Sequence, residues 1–346
     1  MKGKLIIIFI SVLFTSCKEK NTSRKISRIE IQEFTVDSTS IRSLIAVDEQ
    51  NLIFAGSNGI IGNYNLKSGL SKLKIKYNDS IIPNFRSLAT NGKAYFALSI
   101  GNPALLYKIV DDKYQIVYKE AHEKVFYDSM KFFGNGKDGI AVGDPTETCP
   151  SVIITKDGGN SWKKISCENL PKFESEEAFF AASNTNIKII DDTVWIVSGG
   201  KKARVLKSED RGKTWKTYDT PIVQGDGPQG IYSVDFYDKN NGFIIGGNYA
   251  KPNNNCNNKA ITKDGGKTWE IIADNINPNY KSCIQYVPNG KTKEIFAVGK
   301  TGISYSSDGG KSWVHNPTKD FYAIQFVNSD TAWLTGNKKI GLLKIH

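Results

Sequence analysis

Four copies of one short pattern constrain the fold of this chain more than any other feature. Thr155, Asp157, Gly159, Ser161 and Trp162 form the first copy, and Ser208, Asp210, Gly212, Thr214 and Trp215 the second. Thr262, Asp264, Gly266, Thr268 and Trp269 form the third, and Ser306, Asp308, Gly310, Ser312 and Trp313 the fourth. All read Ser/Thr-x-Asp-x-Gly-x-Ser/Thr-Trp. The Asp carboxylate suits the acceptance of turn amides, the Gly suits positive φ, and the Trp suits folding back over a hairpin as an apolar plug. Such a unit staples a turn and does no catalysis. The aspartates stand 53, 54 and 44 residues apart, a period at which each repeat is one supersecondary unit stacked on its neighbours.

The pattern is the Asp-box, or BNR, repeat, and the rest of the chain continues its period. Apolar strands that contain or end in Gly recur at residues 53–56, 95–101, 140–143, 194–199, 243–246, 295–299 and 332–336. Seven occurrences predict seven four-stranded blades of about 47 residues. The 31 Gly, 15 Tyr and 17 Phe against 2 Met suit strands and tight turns. Only residues 339–345 follow the last Gly-bearing strand, so the final blade is short of one strand. The alternating segment 26–34 is suited to supply it and close the ring, which removes exposed edges. The expected fold is an all-β, seven-bladed β-propeller with Asp-box hairpins over residues 26–346, closed by an N-terminal strand.

The first residues carry an address. Lys2 and Lys4 precede an apolar core of about ten residues, half the length of a spanning helix. Phe14, Thr15, Ser16 and Cys17 resemble a lipobox, with Phe where Leu is usual. Residues 1–16 are thus expected to be a lipoprotein signal peptide, Cys17 the lipidated (palmitate-bearing) N-terminus, and residues 17–25 a polar tether. The predicted location is the bacterial cell envelope, at the outer membrane, with the lipid seated in the bilayer. Loss of the two lysines in the signal lowers the formal charge from +11 to +9. A basic exported chain favours acidic partners and excludes routine contact with nucleic acid. A monomer is expected.

Four cysteines then remain. Cys149 with Cys167 and Cys256 with Cys283 are the disulfides that sequence proximity suggests, although three connectivities are possible and free thiols are an alternative. No cysteine pair has metal-site spacing and the three histidines are far apart, so no metal is expected. No cofactor is expected either, because no Gly-x-Gly-x-x-Gly turn is present.

In a propeller the first strand of each blade faces the central channel. Aligning the seven strands that precede the Gly-bearing ones brings Arg42, Arg86, Asp128, Glu177, Tyr232, Lys281 and Tyr322 into one slot, each followed by Ser or Ala. A long polar residue beside a small one suits a funnel where backbones converge. Arginines there could bind carboxylate or phosphate in bidentate fashion; mutual pairing within a buried polar channel is the alternative. Asp144, Arg204 and Tyr249 are candidates from nearby loops, and Arg42, Arg86 and Arg204 are the preferred contacts.

The run from Glu177 to Ser183, the pairs Gly199-Gly200 and Arg204-Val205, the box from Ser208 to Gly212 and the run from Gly230 to Phe236 resemble exported Asp-box propellers similar to photosystem II stability/assembly factors. This resemblance implies a binding or assembly scaffold for a membrane protein, or for an acidic peptide or saccharide. Sialidases share the boxes and are the enzymatic alternative, a glycoside hydrolase or lyase acting on acidic glycans. Their chemistry resembles an arginine triad with a Tyr nucleophile, and Arg42, Arg86, Arg204, Tyr232, Tyr249, Tyr322, Glu177, Asp128 and Asp144 supply the residue types. The Phe/Tyr-Arg-Ile-Pro signature is missing, since Phe85-Arg86 continues with Ser87.

Overall fold

A computed structural model describes Arg24 and residues 26–346. Cys17, the signal and most of the tether lie outside the described residues. Every extended sheet is antiparallel, and the fold is an all-β propeller. Seven innermost strands neighbour one another in a closed cycle: Ile29–Ala46, Asn84–Thr90, Tyr127–Phe132, Ile187–Ile190, Gln229–Phe236, Cys283–Tyr286, Ala323–Phe326, and back to the first.

The hydrogen-bonded sheets number six among the described residues, where seven separate blades were expected. The reason lies in the terminal strands. Ile29–Ala46 pairs through Ile29 to Thr35 with Ile345 to Lys339 of the last strand, and through Ile41 to Ala46 with Gly56 to Leu52 of the next. The register breaks between Thr35 and Ser40, where Ser38 takes φ 65°. One long strand therefore joins the N-terminal and C-terminal strands in a single six-stranded sheet. Arg24, within the segment read as tether, is held against this body by Glu294 at 2.8 Å and by Asp330.

Stacked sheets explain the burial. The Gly-bearing second strands are covered on both faces, so Gly139–Gly143, Thr193–Val197, Gly242–Asn248 and Ile295–Gly299 are buried throughout and read as continuous apolar runs. Outer strands such as Lys113–Glu120 carry polar residues and lie largely in solvent, which protects the edges.

The four boxes share one geometry. In the second, the Ser208 hydroxyl donates to Asp210 Oδ1 and accepts from the Gly212 amide, while Thr214 donates its amide to Oδ1 and its hydroxyl to Oδ2. Trp215, Trp269 and Trp313 donate Nε1–H to the carbonyls of Gly212, Gly266 and Gly310. Trp162 differs, since its buried Nε1 has no partner among the described residues; its ring packs edge-on to Phe96 and Phe132 instead. At Gly159 a Cβ would stand 2.3 Å from Phe96, so the turn needs glycine for packing as well as for its φ of 84°.

Cys149 and Cys167 are disulfide-bonded, and Cys256 and Cys283 are not. The second suggested bridge is therefore corrected. Cys283 is wholly buried on an innermost strand, where its thiol faces the Ile324 carbonyl, whereas Cys256 lies in a partly exposed loop.

Candidate functional site

A cavity of about 590 Å³ opens at one mouth of the central channel. Arg42, Arg86, Tyr232 and Tyr322 of the predicted slot line it, as do Asp144 and Tyr249. Their shared aim has a backbone cause. Arg42, Arg86, Asp128 and Tyr232 are each the extra residue at a register break: Ile41 pairs with Gly56 and Ser43 with Ala55, and the same skip recurs around residues 86, 128 and 232. A bulge leaves one residue outside the ladder and re-aims its side chain, toward the mouth for Arg42, Arg86 and Tyr232, whereas Asp128 stays fully buried. The opposing strand comes close at this point. At Gly143 a Cβ would meet the Phe126 carbonyl at 2.3 Å, and at Gly246 it would meet the Gly230 carbonyl at 1.9 Å. This accounts for the recurrent Gly.

The floor of the cavity is a segment that leaves the blade pattern. Between Glu177–Ala178 and Ile187–Ile190, residues 179–186 cross the channel instead of pairing regularly. Arg42 donates Nη1–H to the Ala182 carbonyl at 3.2 Å and Arg86 donates Nη1–H to the Ala181 carbonyl at 3.1 Å. Asn184 accepts from the Met130 amide at 2.9 Å and donates to the Leu88 carbonyl at 2.8 Å. The Ser183 hydroxyl donates to the Ser282 carbonyl, and Thr185 bonds to Ser233. One short stretch thus ties five inner strands together and plugs the ring.

Neither Arg42 nor Arg86 has a carboxylate within ion-pair distance among the described residues. The Arg42 guanidinium lies 4.0 Å over the Tyr322 ring, a cation–π contact, and its buried Nε has no partner among the described residues. Burial, and then repulsion by Arg42, lower the pKa of Arg86 to about 10, with Asp128 opposing. Asp128 is fully buried with both carboxyl oxygens unpartnered, and burial, then Asp144, push its pKa well above the ordinary range. Burial raises Asp144 to about 6 although it accepts from the Phe179 amide at 2.7 Å.

Aromatic walls complete the mouth. Phe180 stacks on Tyr232 with centroids 3.9 Å apart, and Tyr280 meets Tyr232 edge-on at 4.8 Å. Lys300 donates to the Tyr249 carbonyl at 2.5 Å and lies about 6 Å from the Tyr249 and Tyr280 rings. Phe180, Tyr280 and Lys300 were not anticipated. The sixth inner strand has no register break, and there Tyr280, the residue before the predicted Lys281, lines the mouth.

Four predicted residues do not line the cavity: Asp128, buried as described, and Lys281, Glu177 and Arg204. Lys281 is wholly buried and donates to Thr301 Oγ1 and the Gly302 carbonyl, with its pKa lowered by burial to about 7. Glu177 and Arg204 do not line the cavity. They form a buried bidentate pair, Nε to Oε1 at 3.0 Å and Nη2 to Oε2 at 2.6 Å, supported by the Ser198 hydroxyl and the Glu174 amide. Arg204 is thereby corrected as a mouth contact, because its guanidinium is already held by the Glu177 carboxylate of a neighbouring sheet and by the Lys172 carbonyl. The arginine triad is not assembled. The Tyr232 hydroxyl donates to the Pro228 carbonyl at 2.9 Å, and burial raises its pKa far above the ordinary tyrosine range. Among the described residues no three His, Cys, Asp or Glu gather as a metal set, and no helix is long and apolar enough to cross a membrane.

A family model described as Sortilin, neurotensin receptor 3 (Sortilin-Vps10) matches residues 150–301, a span holding three of the four boxes. Comparison with curated proteins gives no match. Among solved structures, "YCF48 bound to D1 peptide" aligns with TM-score 0.64 and 13% identity over 94% of this chain and 100% of that one. "YCF48 from Cyanidioschyzon merolae" aligns with TM-score 0.59 and 12% identity over 91% and 98%. The RRP9 WD40 repeats give TM-score 0.63 and 11% identity over 91% and 97%. Such identities establish likeness of fold.

Proposed function

We propose that this protein is a binding scaffold whose arginine and aromatic mouth takes an acidic group of a membrane-protein partner. One observation carries the reading: Arg42 and Arg86 stand side by side in a cavity, partnered by carbonyls and a ring but by no carboxylate within ion-pair distance among the described residues. Two such cations repel each other, and an incoming carboxylate removes that repulsion while making charge-assisted, bidentate hydrogen bonds. The Phe180–Tyr232 stack, Tyr280 and Tyr322 supply flat apolar surface for the adjoining residues of a ligand. A structural likeness to a propeller solved with a D1 peptide is consistent with a peptide ligand.

In this reading the ring has seven blades. The six-stranded terminal sheet counts as two, sharing the strand Ile29–Ala46 on either side of its register break, in keeping with the seven-membered cycle of innermost strands. The domain runs over residues 26–346. A lipid on Cys17 tethers it to the bacterial cell envelope, at the outer membrane, close to membrane partners; the lipobox-like Phe14-Thr15-Ser16-Cys17 supports this address.

Affinity capture from the native envelope tests the proposal. Wild-type bait should retain a membrane protein that Arg42→Ala/Arg86→Ala bait loses, at a temperature below the melting of both chains, since the double variant also gives up two hydrogen bonds to the plug. Equal retention by the two baits would remove the site assignment. Labelling with palmitate and its loss in Cys17→Ser test the anchor.

A further inference from the structure

The plug formed by residues 179–186 leaves a second cavity, of about 230 Å³, lined by the following part of that segment and by inner-strand residues beyond it. Its polar groups are differently arranged. Lys188 donates to Asp235 Oδ1 at 2.5 Å, and Asp235 Oδ2 accepts from the Tyr286 amide, so that carboxylate is already used on both oxygens. Lys131 lines the same cavity with no hydrogen-bond or ion-pair partner for its ammonium among the described residues. Gln285 and Gln325 also line it. The Gln285 side-chain oxygen accepts from the Phe326 amide and that of Gln325 from the Ala46 amide, both at 2.9 Å. Each backbone N–H therefore fixes which way its glutamine amide lies, and leaves an NH₂ group that has no partner among the described residues.

We propose that this second mouth is a binding site for a small oxyanion, a carboxylate or phosphate, held by Lys131 and the side-chain NH₂ groups of Gln285 and Gln325, with Lys188 cancelling the charge of Asp235. The donor set is one-sided: one free cation and two amide donors converge, and the one carboxylate lining the cavity is neutralised. Charge-assisted hydrogen bonds of this kind are the stronger ones. Burial, then Lys188, hold the Lys131 pKa at about 8, while Cys283 and Asp235 oppose this. A bound anion favours the charged lysine, so binding weakens as pH rises above about 8.

The test uses the full chain, purified in detergent and titrated calorimetrically with inorganic phosphate and, separately, with acetate. Saturable binding of either that the second-mouth variants weaken supports the site, and the preferred probe gives the class of oxyanion. Lys131→Met removes the free cation, and Gln285→Glu keeps the acceptor for the Phe326 amide while replacing NH₂ by a carboxylate oxygen. Each should weaken binding by at least about tenfold. Arg42→Ala/Arg86→Ala, at the opposite mouth, should leave it unchanged. No saturable binding of either probe overturns the proposal. So does unchanged affinity in both second-mouth variants, or loss confined to the double-arginine variant, which would place the anion at the other end of the channel.

Discussion

Arg42 and Arg86 owe their exposure to the cavity to single extra residues in two strands, and their chemistry to the lack of a carboxylate at ion-pair distance. Asp144 modulates that charge. Its folded pKa of about 6 lies above its ordinary value of 3.8, so it is neutral below pH 6 and becomes anionic above it. Affinity for an acidic ligand should therefore fall as pH rises through about 6, and Asp144→Asn should flatten that dependence in a binding titration. By the same linkage the fold favours the protonated Asp144 and loses that stabilisation between about pH 4 and 6. The box aspartates behave oppositely. Partial burial pushes Asp210 up, but hydrogen bonds from Thr214, Ser208 and the Lys213 amide outweigh this and hold it at about 2. Stability from this group is present above about pH 4 and is lost as pH falls toward 2; an Asp210→Asn chain should show a shallower acid limb in melting experiments. Arg42, Arg86, Tyr232 and Tyr322 of the predicted slot line the cavity, but the Ser or Ala that follows each slot residue does not set them apart from Asp128, Glu177 and Lys281, which do not line it. The Glu177–Arg204 pair was not legible in the sequence, since two residues 27 apart that both suit an anion-binding funnel are equally suited to bind each other. Removing either leaves a buried charge unpaired: Glu177→Ala should cost ~3–5 kcal/mol in denaturant unfolding without weakening ligand capture at the mouth.

Among the elements, the box hairpins were readable from sequence because the side-chain hydrogen bonds of their Asp and Ser/Thr residues lie within a few residues. The plug was not. The fourth inner strand was expected around Glu177, but Ile187–Ile190 takes that place, and only the positions of Met130, Leu88, Ser233 and Ser282 show that the polar groups of the segment between are satisfied by crossing the channel. Asn184→Ala would leave the Met130 amide and the Leu88 carbonyl buried without partners, at a cost of about 1–3 kcal/mol each. Denaturant unfolding measures that loss, and faster hydrogen exchange at the Met130 amide should locate it. The Cys149–Cys167 bridge closes a short loop on the third blade unit. Cys149→Ser should lower stability by about 3 kcal/mol on chain-entropy grounds, whereas Cys256→Ser should leave the melting temperature unchanged.

For the whole molecule, closure depends on Ile29 to Thr35 covering the strand that ends at Ile345. The alternation of segment 26–34 anticipated this role. The passage of the same strand into the next sheet was not anticipated; it continues through a break in register at which Ser38 takes φ 65°. Without those residues the C-terminal strand becomes a free edge beside an apolar core that includes Ile340, Leu342 and Leu343. A chain begun at residue 40 should lose cooperative unfolding and self-associate, as seen by calorimetry and sedimentation. The ring and its plug together make two separate mouths with different donors, one aromatic and arginine-rich, the other lysine- and glutamine-lined. The central claim concerns the first. Its most direct test is a fluorescence titration of matched peptides ending in a free carboxylate or in an amide against the wild-type chain and Arg42→Ala/Arg86→Ala. The account predicts at least about tenfold preference for the free acid, lost in the double variant; equal affinity for the two peptides, or a preference that survives loss of both arginines, would contradict it.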